Sequence, residues 1–170
     1  MYVSTKTYSA ERGLSTCFRQ WRADSHCSRS HGYALGFHLE FASLDLDARN
    51  WTVDFGGLKD FKGILDDTFD HTMLVAEDDP HKDYLLGLQE RGLAKVVLVQ
   101  ATGCEAMAKL VFEVLEQYLK DAGYGDRVKV LLVEVREHGA NSAKYINPAF
   151  APKWPVPDTA CPASNPASGA

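Results

Sequence analysis

The residues whose chemistry stands out are a thiol, two imidazoles and two carboxylates in three short stretches. Cys27 opens Cys27-Ser28-Arg29-Ser30-His31-Gly32-Tyr33, Asp70 adjoins His71, and Glu137 follows Arg136 late in the sequence. An imidazole beside a thiol lowers the thiol pKa, and a carboxylate fixes the imidazole, so Cys27, His71 and Asp70 are the parts of a nucleophile or acid/base group. A lone buried thiol and a solvated Asp-His pair are the structural alternatives. Spacing does not choose between the two, because such groups are recognised by geometry.

These residues need elements to position them. From Tyr33 to Phe41 the odd positions are apolar and the even ones small or polar, which predicts a strand with one buried face launched directly from the Cys27–His31 loop. Tyr2 to Tyr8 predicts a first strand. Glu11 to His31, carrying Arg12, Arg19, Arg22 and Arg29, shows no periodicity and reads as a functional loop whose cations suit an anionic substrate. Turn residues at Asp45 to Asn50, followed by Trp51, Val53 and Phe55 in alternation, predict a hairpin. Leu58, Phe61, Leu65 and Phe69, with Ile64 alongside, mark a helix that ends near Asp70-His71.

Further on, His81 to Arg91 predicts a short helix closed by Gly92, and Lys95 to Val99 a short buried strand. Thr102-Gly103-Cys104-Glu105 has the spacing of a capping box. The helix it opens carries Met107, Leu110, Val111, Val114, Leu115, Tyr118 and Leu119 and is stopped by Gly123 and Gly125. Cys104 reads as a small buried residue, His81 and His138 as surface residues, with His138 at the border of any pocket around Glu137. Val128 to Val135 is a last apolar strand. The order suggests an α+β fold with helices on one face of an antiparallel sheet.

A sequence of 170 residues fits one domain, read as residues 1–147 followed by a Pro/Ala/Ser-rich flexible tail over 148–170. Net charge is −5 with no basic block, which argues against nucleic acid and anionic membrane as partners. No run approaches a bilayer span, the N-terminus lacks the order of a signal peptide, and the cysteines show no CxxC spacing. The expectation is a cytoplasmic protein with free thiols.

The ordered set Cys-x-Arg-x-His-Gly before a strand, Trp-x-x-Asp-Phe-Gly-x-Leu-Lys at Trp51–Lys59, Asp70-His71, Thr102-x-x-Glu105 opening a helix, and Glu137 with Ala143-Lys144-Tyr145 resembles the 6-pyruvoyl-tetrahydropterin and 6-carboxytetrahydropterin synthase family over most of Tyr2 to Ile146. The resemblance implies the tunnelling fold, an antiparallel sheet with helices on one face, assembled into trimers with a barrel of strands or into hexamers. It implies a lyase acting on 7,8-dihydroneopterin triphosphate with Zn2+ polarising the side-chain oxygens. Cys27 would be the proton-transferring base, Asp70 and His71 its relay, Glu137 the pterin anchor, Thr102 and Glu105 neighbours of the pocket, and His31 a zinc ligand. The Cys27-x-Arg29 pattern resembles the carboxy enzyme of 7-deazaguanine (queuosine) biosynthesis.

The sequence departs from the family at two of three zinc positions. Tyr33 stands where a second histidine is expected, and Tyr8-Ser9-Ala10-Glu11-Arg12 carries no third. His26, Glu11 and His38 are the available substitutes, with His38 on the opposite strand parity to His31. Two alternatives follow: a pterin-binding homologue without the metal-dependent reaction, and a metal-independent reaction on a related pterin.

Overall fold

Residues 1–151 are described in a computed structural model; the expected tail lies outside them from residue 152 on, as does Cys161. Apart from Trp51 to Phe55, the alternating segments form strands as expected, but they divide between two sheets. Tyr2–Tyr8 (β1), Gly36–Ser43 (β4), Val128–Arg136 (β7) and Ser142–Ile146 (β8) make an antiparallel sheet in the order β1-β4-β7-β8. Ser15–Phe18 (β2), His31–Ala34 (β3), Thr72–Ala76 (β5) and Lys95–Val99 (β6) make a second, mixed sheet in the order β3-β2-β5-β6, in which β2 and β6 each run parallel to β5. Lys59–Phe69 (α1), Lys82–Glu90 (α2) and Cys104–Asp121 (α3) complete the α+β fold.

The strand expected from Tyr33 to Phe41 is therefore two strands. The backbone passes from one sheet to the other at Leu35, which is fully buried and donates its N–H to the Leu14 carbonyl at 2.9 Å. Odd parity survives the break: Phe37, Leu39 and Phe41 enter the core, while His38 turns to the other face and meets Thr7 Oγ1 at 2.8 Å and Glu40 at 3.3 Å.

No strand forms at Trp51 to Phe55. The Asp47 carboxylate accepts the N–H groups of Arg49 and Trp51, and Asp54 accepts that of Gly56 at the start of a 3-10 turn over Phe55–Leu58. Side chains thus satisfy the backbone groups a ladder would have used.

The antiparallel sheet is covered on one face by helices. Phe69 of α1 packs on Phe37 with ring centroids 4.9 Å apart, and Phe112 of α3 packs on Tyr145 at 4.9 Å. Met107, Val111, Leu115 and Leu119 bury the stripe read in α3. Against them lie Val128 and Val130, then Val133 and Val135, because the register shifts opposite Glu40/Phe41 and leaves Leu131 as an extra residue. A bulge of this kind re-aims every side chain beyond it. It turns the odd positions of β7 inward, so Glu137, next in that series, points to the helix side of the sheet.

Candidate active site

Cys27 lies in a 3-10 turn over His26–Ser28, where Ser25 Oγ accepts the Cys27 N–H at 3.3 Å and the Cys27 carbonyl accepts from Gln20 N at 2.9 Å. Both backbone groups of the cysteine are held, so the thiol is presented from a fixed loop. His31 opens β3 and donates from Nδ1 to the Arg29 carbonyl at 2.7 Å, which places its proton on Nδ1 and leaves Nε2 as the free acceptor. Cys27 and His31 share a cleft of about 550 Å³ with His26, Tyr33, Cys104, Glu105, Glu137 and His138.

Four elements bring these groups together: the Cys27 turn, β3, the start of α3 and the end of β7. Glu137 comes from the end of β7, where its N–H is held by the Asn141 carbonyl at 3.2 Å. Cys104 and Glu105 come from the first turn of α3. The expected capping box does not form: Gly103 is the N-cap, at φ +106°, and the helix start has no side-chain cap. The Thr102 hydroxyl instead donates to the Arg19 carbonyl at 2.6 Å, tying α3 to the Cys27 loop. The φ of +106° at Gly103 calls for glycine.

The electrostatics of the cleft favour the protonated forms of Cys104 and Tyr33. The Cys104 thiol is pushed up to about 12, first by burial and then by Glu137, whose carboxylate accepts its hydrogen bond. Burial, followed by negative charge at Glu137, Cys27 and Cys104, raises the Tyr33 phenol above its ordinary range. Tyr33 stands edge-on to His31 at 5.6 Å and 5.9 Å from His138, within an aromatic group that includes Phe18. His138 lines this cleft, as its place beside Glu137 suggested, while His81 is exposed.

Asp70 and His71 are not among the cleft residues. They bond to each other, Nδ1 to Oδ1 at 2.8 Å, at the junction of α1 and β5, and the imidazole is 86% exposed. His71 takes φ +54° and donates its N–H to the Ser15 carbonyl at 2.7 Å. A left-handed non-glycine residue is strained backbone that surrounding structure must enforce. The register separates the pair from the cleft: His71 sits level with Ser15, which faces Ala34, whereas His31 faces Phe18. Two strands across and three residues along make roughly 10 Å in each direction.

Two of the four expected arginines are committed, and the side chain of Arg12 lies outside the described residues. Arg19 pairs with the buried Asp79 at 2.9 Å and Arg22 with Asp78, which also accepts from Trp21 Nε1 at 3.0 Å. Arg29 is exposed, two residues beyond Cys27, and has no ion pair among the described residues.

The family's zinc ligands fit poorly here. His31 presents a free Nε2, but Tyr33 fills the next position and Glu11 is exposed in a 3-10 turn away from the cleft lining. Among the described residues no group of three or more His, Cys, Asp or Glu side chains is placed to hold a metal ion. Catalytic zinc normally takes three protein ligands, so the donor set of one protomer does not fit it.

Residues 7–148 match the family model of 6-pyruvoyl tetrahydropterin synthase. The chain belongs to the 6-pyruvoyl tetrahydropterin synthase family. It is 26% identical, over 136 residues, to the 6-carboxy-5,6,7,8-tetrahydropterin synthase of Aquifex aeolicus, covering 78% of this chain and 83% of that protein. Its fold resembles that of an uncharacterized protein from Wolinella succinogenes, with a TM-score of 0.72 at 21% identity over 86% of this chain and 98% of that one. The 6-pyruvoyl tetrahydropterin synthase of Caenorhabditis elegans gives a TM-score of 0.54 at 15% identity, covering 86% and 94% of the two chains. Membership in this family of synthases makes the protein a pterin-directed enzyme of lyase type. Among the described residues no helix is long and apolar enough to cross a membrane.

Cys104 is buried, as read from the sequence, but its place in the cleft was not foreseen, and Tyr33 was read as a strand position and a departure from the family, not as a cleft residue. The odd parity of His31 and Tyr33 was the available signal for Tyr33. Nothing local pairs Cys104 with Glu137, because their contact depends on how α3 packs against β7.

Proposed function

We propose that this protein is a 6-carboxytetrahydropterin synthase-like lyase that acts on 7,8-dihydroneopterin triphosphate, releases triphosphate, and works in the cytoplasm as a homo-oligomer within 7-deazaguanine biosynthesis. The observation that carries the reading is that one cleft joins the Cys27 thiol to the Glu137 carboxylate. A carboxylate offers two acceptor oxygens to the paired N–H groups of a pterin's guanidine-like edge. With that edge on Glu137, the rest of the cleft leads to Cys27, where a C–H bond of the substrate's side arm is within reach of a thiolate base. The protein from Aquifex aeolicus that this one resembles bears the name of that product.

In this reading Asp70 and His71 serve the cleft of a neighbouring copy. The exposed imidazole and its fixed, strained backbone suit a group presented outward. Arg29 is a cation available for the triphosphate among the described residues. No step is derived through zinc, since the donor set of one protomer does not fit three-ligand coordination. That misfit favours a second reading, a pterin-binding homologue whose metal-dependent chemistry is altered or lost.

Incubation of the purified protein with 7,8-dihydroneopterin triphosphate, followed by mass spectrometry, separates the two. Formation of 6-carboxy-5,6,7,8-tetrahydropterin with release of triphosphate supports the first. Saturable pterin binding without either product supports the second.

A further inference from the structure

Gln20 lines the Cys27 cleft with a side chain that the fold does not use. Its backbone is fixed on both sides: the N–H donates to the Cys27 carbonyl at 2.9 Å, and the carbonyl accepts from Ala23 N at 2.8 Å. The preceding residue is anchored as well, by the Arg19–Asp79 ion pair at 2.9 Å and by the Thr102 hydroxyl on the Arg19 carbonyl at 2.6 Å. The half-buried carboxamide, by contrast, makes no hydrogen bond among the described residues. It lies over Gly103, in the space that a side chain there would fill, one residue before Cys104 and its bond to Glu137. It lines both the cleft and a second cavity of about 340 Å³ that it shares with Trp21, Arg22, Asp78 and Thr102. A carboxamide carries donor and acceptor side by side, and one held on a fixed backbone with both free is ready for the polar edge of a ligand.

Resting on the reading above, in which Glu137 takes the guanidine-like edge, we propose that Gln20 is a second contact to the pterin ring: its Nε2–H donates to the ring acceptor beside that edge. The chemistry of the ring fixes the sense of this bond. The edge held by Glu137 consists of the 2-amino group and N3–H, and the atoms that flank it are N1 on one side and O4 on the other. Both accept, so the amide donates on whichever side it stands. An acceptor at Glu137 and a donor at Gln20 together fix the tilt of the ring and read it as a pterin, since a ring with a donor in the flanking place would leave two N–H groups opposed. The side arm, directed at Cys27, takes no part in this contact.

The test is binding of 7,8-dihydroneopterin and of 6-methyl-7,8-dihydropterin, which share the ring and differ in the side arm, to the wild-type protein, to Gln20→Met and to Gln20→Glu. Methionine keeps the length and loses the donor, so both compounds should bind about tenfold more weakly. Glutamate keeps the shape and turns the donor into an acceptor, so both should bind about 100-fold more weakly. The thermal midpoints of the unliganded variants should match that of the wild type, because the backbone bonds of residue 20 remain. Wild-type affinity in either variant overturns the role of Gln20 while leaving the pterin site intact. Weakening confined to dihydroneopterin also overturns it, since the contact then lies on the side arm. Weaker binding accompanied by a lowered midpoint marks a packing role and overturns it too. If the wild-type protein binds neither compound, the functional reading falls and takes this proposal with it.

Discussion

The two ends of the strands β3, β2 and β5 are built differently. At the Cys27 end the side chains converge: a loop, an edge strand, a helix start and the end of a bulged strand each send two groups or more into a shared cleft. At the Asp70–His71 end a single pair stands alone, bonded to itself, with its imidazole 86% exposed. The difference teaches that residues whose chemistry would suit one acid/base group are not brought together within this chain. In the proposed reading these are a receiving half and a presenting half, and the left-handed backbone at His71 holds the second in place.

Removing the thiol should have the largest effect. Cys27→Ala is expected to lower kcat/KM for 7,8-dihydroneopterin triphosphate by about 1000-fold while pterin affinity stays within about threefold, since proton transfer to a positioned base supplies rate rather than binding. Initial rates and equilibrium titration on the same preparation check this, and a loss of binding equal to the loss of rate would count against Cys27 as the base.

Next in size is the presenting end. His71→Ala is expected to lower kcat about 100-fold, and mixing it with Cys27→Ala under conditions that exchange subunits should restore a fraction of the rate, roughly a quarter if copies assort at random. Activity that stays absent after exchange, in a mixture shown by mass to contain hybrid oligomers, would mean the pair does not act across copies.

The smallest effect concerns the scaffold common to both ends. Glu134 is buried on the outer face of the antiparallel sheet, 2.8 Å from Arg136. Burial raises its carboxyl, but the Ser142 hydroxyl and the charges of Arg136 and Lys144 outweigh it and hold the group below the ordinary range. A depressed folded-state pKa stabilises the fold above the unfolded carboxyl range and loses that contribution as pH falls through the folded value. Glu134→Gln should therefore cost about 2 kcal/mol near pH 7 by denaturant titration. The gap from wild type should close below about pH 4, and pterin binding should not change.

The sequence made much of this legible, and the reasons for the rest are physical. The stripe of α3 and the run of β7 repeat long enough for periodicity to decide them, and Cys27, His31, Glu105 and Glu137 do meet in one cleft. Strand β2 was hidden because four residues cannot establish a period within a polar stretch, and β5 because it follows α1 after only Asp70 and His71. The expected hairpin at Trp51 failed where Asp47 and Asp54 took over the backbone donors. Thr102 lines a neighbouring pocket with Trp21 and Arg22 instead of the cleft, and it loses its capping role because the Arg19 carbonyl is the partner that tertiary packing supplies. The separation of Asp70–His71 from Cys27 rests on strand register across β3, β2 and β5, which no local pattern records.

The most direct test of the account is equilibrium binding of 7,8-dihydroneopterin to the wild-type protein, to Glu137→Gln and to Asp70→Asn. Loss of a charged, two-oxygen acceptor should weaken binding about 100-fold in Glu137→Gln, whereas Asp70→Asn, at the other end of the sheet, should stay within about threefold. Unchanged binding in Glu137→Gln, or equal weakening in both variants, would contradict the placement of the pterin in the Cys27 cleft.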